Sequence, residues 1–291
     1  MRPYLCSTLL IGLVALAFGQ NRAPQTPPGE PPRLNKIRAN LYMIENSSAT
    51  MADLGYWGGN ITFLVTGDGV LMVDAKFARA HDDVVNKIRS VTMKPIKYLV
   101  LTHNHADHAE GAPRFEADGA QVIISVEDRL NMLRAANAKW APSLTYIGQA
   151  RVFLDGNEVQ LLQLRGHTRG DTVVYFPADR VISLGDLMTT ADTIPNIVNY
   201  GDGGDWTDWE ASINAALALD WDIAIPGHGP SVSRQQVIQI REKMVAIRER
   251  VRAMNRERKP LEEIQQTLVK EFNWGAGPAA GVIPGMLVEL R

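Results

Sequence analysis

Short apolar runs bounded by turn residues recur along this chain. Ile61-Thr62-Phe63-Leu64-Val65, a Gly67-Asp68-Gly69 turn and Val70-Leu71-Met72-Val73 predict a hairpin. Residues 96–101, 159–164, 180–184 and 222–225 predict further strands, of which 96–101 and 222–225 are apolar enough to be buried. Two more hairpins are expected to turn at Asp155-Gly156-Asn157 and Pro177-Ala178-Asp179. Helices are expected over residues 82–90, 209–219, 233–256 and 261–272, with Val269, Phe272 and Trp274 capping the core and residues 275–284 as coil. The stretches before and after Gly166 each alternate strands, helices and a histidine-bearing loop. That pattern fits two αβ halves facing each other, with the last two helices covering a sheet.

The N-terminus differs from the rest. A short positive start, Met1-Arg2-Pro3-Tyr4, leads into an almost unbroken apolar stretch at residues 5–18 and small residues around Gly19. The stretch is short for a membrane span and reads as a secretory signal peptide over residues 1–19. A proline-rich extended leader over 20–33 follows, with Pro24, Pro27, Pro28, Pro31 and Pro32. The main domain is expected over 34–232 and a helical extension packed on it over 233–291. Periplasmic or secreted localisation follows from the signal. Cys6 is the only cysteine, so the mature chain has neither disulfides nor a thiolate ligand. The formal net charge is −2, and basic runs with interleaved aromatics are absent. Nucleic acid is therefore not an expected partner, nor is a membrane after signal cleavage. A small molecule, of anionic type, is the expected partner, and the oligomeric state is open.

Candidate chemistry concentrates at Thr102-His103-Asn104-His105-Ala106-Asp107-His108, which holds three of the six histidines directly after the strand at 96–101. Imidazole and carboxylate are common ligands of divalent metals. Three other strands lead into Gly166-His167-Thr168, Gly185-Asp186 and Pro226-Gly227-His228-Gly229. Strand ends on one edge of a sheet can converge and hold ligands rigidly. His81, in Ala80-His81-Asp82-Asp83, reads as an exposed helix start without a role.

In order and spacing these four segments resemble the metallo-β-lactamase superfamily over about residues 40–232. The resemblance implies a four-layer αββα sandwich carrying two metals. His103, His105 and His167 would bind one, Asp107, His108 and His228 the other, and Asp186 would bridge them. Two zinc ions are implied, with iron or manganese also compatible with nitrogen and oxygen ligands. Hydroxide held between the metals would attack a substrate carbonyl, with Asp107 as a candidate to orient it or carry its proton. Asp74 would brace a ligand histidine, and Thr102, Thr168 and Asp171 would orient the loops. Gly58-Gly59-Asn60 resembles an early turn of the family. Tyr56, Trp57 and Trp140 are candidates for an aromatic rim.

The residue at Asp186 divides the family. Its β-lactamases usually carry cysteine or serine there, whereas glyoxalase II enzymes and many lactonases carry aspartate. The leading expectation is an exported dinuclear zinc hydrolase that opens a cyclic amide or ester, β-lactamase-like. The alternatives are a lactonase or glyoxalase II-like thioesterase, an iron-dependent oxidoreductase, and a non-catalytic metal-binding module of the same fold.

Overall fold

Residues 31–46, 55–134, 138–190, 198–274 and 281–290 are described by the structure, a computed structural model. The expected signal peptide, and the leader up to residue 30, lie outside them. Seven strands form one sheet in sequence order: β1 (Arg33–Lys36), β2 (Leu41–Glu45), β3 (Ile61–Val65), β4 (Val70–Val73), β5 (Ile96–Val100), β6 (Gln121–Ser125) and β7 (Leu144–Tyr146). The second sheet runs β13-β12-β11-β10-β9-β8, from β8 (Gln149–Leu154), β9 (Asn157–Gln163), β10 (Thr172–Phe176), β11 (Val181–Thr189), β12 (Ile223–His228) and β13 (Val232–Ser233). The helices are α1 (His81–Arg89), α2 (Ala106–Ala109), α3 (Ala112–Ala117), α4 (Val126–Arg134), α5 (Trp206–Leu217), α6 (Arg234–Arg256), α7 (Leu261–Phe272) and α8 (Ile283–Glu289).

Strands that are apolar on both faces must be covered on both. In β3 and β4 the paired Phe63 and Met72 join Val84 and Ile88 of α1 and Phe115 of α3 on the outer face of the first sheet. Their neighbours Leu64 and Leu71, also paired, face inward with Val100, and there meet Val159, Val174, Phe176 and Ile225 of the second sheet. On the far side, Val173, Ile182 and Leu184 pack against Trp206, Trp209 and Ile213 of α5, Val237 and Ile247 of α6, Leu268 of α7 and Met286 of α8. Three apolar layers thus separate four structural ones, the expected αββα sandwich with C-terminal helices.

The hairpins at residues 67–69, 155–157 and 177–179 form as expected. Ser233 caps α6 with a reciprocal Gln236 contact, which sets that helix's start. Several expectations need correction. Of the coil expected over 275–284, residues 275–280 lie outside the described residues, and its end is helical instead: α8 begins at Ile283 and tolerates Pro284 in its first turn, where the missing N–H is not needed. Val269 is 40% exposed and does not cap the core, although Trp274 does. His81 is buried, packed on Phe115 and placed between the carboxylates of Asp82 and Asp118. Trp140 leans on the outer core of the first sheet and donates to Glu116 at 2.6 Å, which accounts for it as packing.

Candidate metal centre

The loop after β5 carries His103 and His105 into α2, which presents Asp107 and His108. From the second sheet come His167, between β9 and β10, and His228, the last residue of β12. Asp186 lies inside β11 and not at a strand end as the sequence suggests, because Gly185, at φ 51, permits a register shift that β11 survives. The seven side chains fall into two groups, His103, His105, His167 and Asp186 in one and Asp107, His108 and His228 in the other, each with donor atoms within 4.8 Å of one another.

Hydrogen bonds behind the rings decide which nitrogens face inward. Asp74 accepts from the Thr102 hydroxyl at 2.8 Å and from the Thr102 amide at 2.7 Å. The hydroxyl, having spent its proton on Asp74, must accept from Nδ1–H of His103 at 3.0 Å. That leaves a lone pair on Nε2 of His103. Asp202 Oδ2 lies 2.9 Å from Nε2 of His105, so Nδ1 of that ring carries a lone pair as well. The two bare nitrogens stand 3.0 Å apart, and Nε2 of His167 is also 3.0 Å from Nδ1 of His105. Facing lone pairs repel unless a proton or a cation lies between them. Donors around a tetrahedral zinc at about 2.0–2.1 Å stand about 3.3 Å apart, close to this spacing.

In the second group a hydrogen bond of this kind stands behind His108, while Nδ1 of His228 is buried with no partner among the described residues. Nδ1 of His108 meets Asp74 at 2.8 Å, and its Nε2 is 3.2 Å from both Nε2 of His228 and Oδ1 of Asp186. Nε2 of His228 is 3.1 Å from Asp107 Oδ2. Asp186 spans the two groups: Oδ2 is 3.6 Å from Nε2 of His167 and 4.0 Å from that of His103, while Oδ1 turns to His108 and His228. Oδ1 is buried and has no hydrogen-bond donor among the described residues. A buried carboxylate oxygen without a hydrogen-bond donor, set among imidazole nitrogens, fits a divalent cation that would take the place of their protons.

Charge differs between the groups. Burial, aided by His108 and His105, holds His103 well below the usual histidine range, and burial takes His167 down to about 4 despite Asp186. Burial also opposes protonation of His108 and His228, but the carboxylates of Asp186 and Asp107 outweigh it. They hold His108 well above its usual value and His228 at about 9. Against the same burial, His108 and His228 hold Asp107 at about 2.

The family model of the metallo-β-lactamase superfamily matches residues 54–228, more than half of the chain. The chain belongs to the metallo-β-lactamase superfamily. Among relatives of this superfamily member, 2,4-dinitroanisole O-demethylase subunit alpha of Nocardioides sp. (strain JS1661) is 28% identical over 183 residues, 60% of this chain and 54% of that protein. The matched region thus spans about half the length of that relative. Metallo-beta-lactamase type 2 of Elizabethkingia meningoseptica is 27% identical over 192 residues, 64% of this chain and 71% of that protein. A solved metallo-beta-lactamase from Pontibacter korlensis shares the fold, with a TM-score of 0.63 and 20% identity over 73% of this chain and 98% of that one.

All seven metal-ligand candidates of this superfamily member converge, and Asp74, Thr102, Thr168 and Asp171 stand behind them. Thr168 donates to Asp171 at 2.6 Å and lies 3.0 Å from Asp128. Trp57 is buried beside Gly58 and offers no exposed rim. Sequence reasoning missed Asp202, Asn199 with Nδ2 2.7 Å from Nε2 of His105, Asp128, and a fully buried Lys76. Asp202 and Asn199 flank a tight turn in Asn199-Tyr200-Gly201-Asp202-Gly203-Gly204, a Gly-rich signal that marks the turn but not its target.

Proposed function

We propose that this chain is a two-metal hydrolase that opens a cyclic amide or ester, with β-lactams the first class to test. The observation that carries the reading is Asp186, whose two oxygens address two separate sets of ligands. A non-catalytic metal-binding module would not need a second group joined to the first by one carboxylate. Two divalent cations supply Lewis acidity and a water acidified to near-neutral pKa when bound. Zinc is the favoured ion, and the all-nitrogen-and-oxygen donor set also admits iron or manganese.

The chain's own residues do the rest. Asp74 fixes the ring of His108 directly and that of His103 through Thr102, one imidazole in each group. Asp202 fixes His105. Asp107 is partly exposed while His103, His108, His167 and His228 are buried, so it lies on the open side of the centre together with His105. Its carboxylate, kept ionised by His108 and His228, is placed to hold or pass a proton where substrate arrives.

The test is to load metal-depleted protein with zinc, iron or manganese and assay β-lactams, lactones and thioesters side by side. Hydrolysis that is lost in His105→Ala and Asp186→Ala, both still folded, is the expected result. Two bound metals with no hydrolysis of any of the three classes would overturn the reading. Near-stoichiometric iron in the purified protein, with no hydrolysis, would point to redox chemistry instead.

A further inference from the structure

Lys76 is fully buried two residues beyond Asp74, and both have left-handed backbones, with φ of 56 and 65. A left-handed backbone is unfavourable for lysine, and burying an ammonium adds to the cost. Its Nζ donates to Asn46 Oδ1 at 2.9 Å and to the carbonyl of Gly59. Both acceptors are neutral. Burial accordingly pushes the amine down to about 7, although Asp83, Asp107 and Asp74 draw it upward. An amine donates to these two oxygens in either protonation state.

Gly59 is the middle of a strap across the second metal group. Its amide donates to the Asp107 carbonyl at 2.9 Å, and a Cβ there would come 2.2 Å from Cε1 of His108. The strap backbone therefore rests directly on that imidazole. Gly58, at φ 86, is as close to Asp107, whose carbonyl oxygen a Cβ would meet at 2.4 Å. Asn60 ties the other side: its amide N–H donates to Gly227 at 2.7 Å, and its side chain donates to Pro226 at 2.8 Å and Gly229 at 2.9 Å, around His228. Asn46 closes the arrangement by donating to the Gly58 carbonyl at 2.5 Å. The strap thus touches the loops of Asp107, His108 and His228. Among the described residues, none of its hydrogen bonds reaches His103, His105 or His167.

We propose that Lys76 is a positioning residue for the second metal group: by holding Gly59 it fixes the strap that spaces Asp107, His108 and His228. It thereby sets that group's affinity for a divalent cation and leaves the first group's unchanged. This rests on the two-metal reading above. A charged ammonium would also repel a nearby cation, so the sign of the effect is diagnostic.

The experiment titrates metal-depleted full-length protein with cobalt(II), followed by d–d absorption and chelator competition. The step lost in Asp107→Ala marks the second group. In Lys76→Met that step is expected to weaken 10–100-fold, the range for losing an outer partner of a metal site, with the first step and its spectrum unchanged. Asn46→Ala should show a smaller loss in the same direction, and it decides the matter if circular dichroism shows Lys76→Met unfolded. A second step that is unchanged or tighter, or equal weakening of both steps, overturns the proposal. A wild-type chain that takes up only one equivalent overturns the two-metal reading itself, and this inference with it.

Discussion

Asp202 Oδ2 lies 2.9 Å from Nε2 of His105, while Nδ1 of the same ring faces His103 and His167 at 3.0 Å. The carboxylate therefore selects the tautomer that makes His105 a donor into the first group. His105 in turn is the largest cause of the depressed pKa of Asp202, through their hydrogen bond. Replacing Asp202 by alanine should lower the first group's metal affinity 10–100-fold without loss of secondary structure. Chelator competition together with far-UV circular dichroism checks this. Asp202→Asn, which keeps an acceptor, should lose less.

The two groups should differ in how binding depends on pH. His103 and His167 are neutral at pH 7 because burial, the largest influence on each, depresses them. Burial also opposes charge on His108 and His228, yet Asp186 and Asp107 keep both protonated. Metal entering the second group must displace those protons, about two in number, whereas His103 and His167 of the first group, being neutral, have no extra proton to give up. Second-group affinity should therefore rise with pH toward about 9, and more steeply than first-group affinity. Calorimetry in buffers of different ionisation enthalpy measures the released protons directly.

Thr168 has one hydroxyl proton and two carboxylate neighbours, Asp171 at 2.6 Å and Asp128 at 3.0 Å. The second contact requires a proton on a carboxyl. Burial raises Asp128 to about 7, and burial followed by Asp128 raises Asp171 well above the usual range. A carboxyl raised on folding stabilises the protein at low pH, and that contribution is lost as pH rises through the folded value. Asp128→Asn removes the part of this dependence that Asp128 contributes. Its stability relative to wild type should thus improve from pH 4 to 7 by at most about 1.4 kcal/mol per pH unit. Denaturant unfolding across this range tests it, and a difference that is constant with pH would contradict it.

Gly227 admits no side chain. An added Cβ would lie 1.9 Å from Asp186 Oδ1 and 2.8 Å from the Gly185 carbonyl carbon. Gly227→Ala should push the bridging carboxylate out of register and cost at least about tenfold in metal affinity, in line with other losses of ligand support. Metal content after dialysis against a weak chelator reports the outcome.

Strands β3, β4, β5, β9, β11 and β12 and the seven ligand candidates were legible because each depends on local pattern, whereas β1, β2, β6 and β7 were not read as strands. Apolar runs mark the strands, and the dense 103–108 segment orients the reading of every later Gly-His and Gly-Asp. Asp186 was misplaced by a few residues of strand, since a glycine followed by an acid reads as a turn unless the left-handed glycine is known to sit in a bulge. Lys76 reads as a surface lysine, because nothing local reveals that Asn46 and Gly59 wait for its ammonium. His81 looks exposed beside Asp82 and Asp83, and the packing of Phe115 against it appears only in the fold. Asp202 reaches His105 across 97 positions of chain, a contact made by tertiary folding alone.

Each candidate metal group draws on both sheets, so a bound cation rivets together parts of the chain that the backbone keeps far apart. His105 and His167 are 62 positions apart, and His108 and His228 are 120 apart. An ion that binds the folded chain a hundredfold above its dissociation constant adds about 2.7 kcal/mol to stability. On the two-metal reading, metal supply would govern durability as well as turnover: a starved molecule would lose its chemistry and its staples together, and become the easier target for proteolysis.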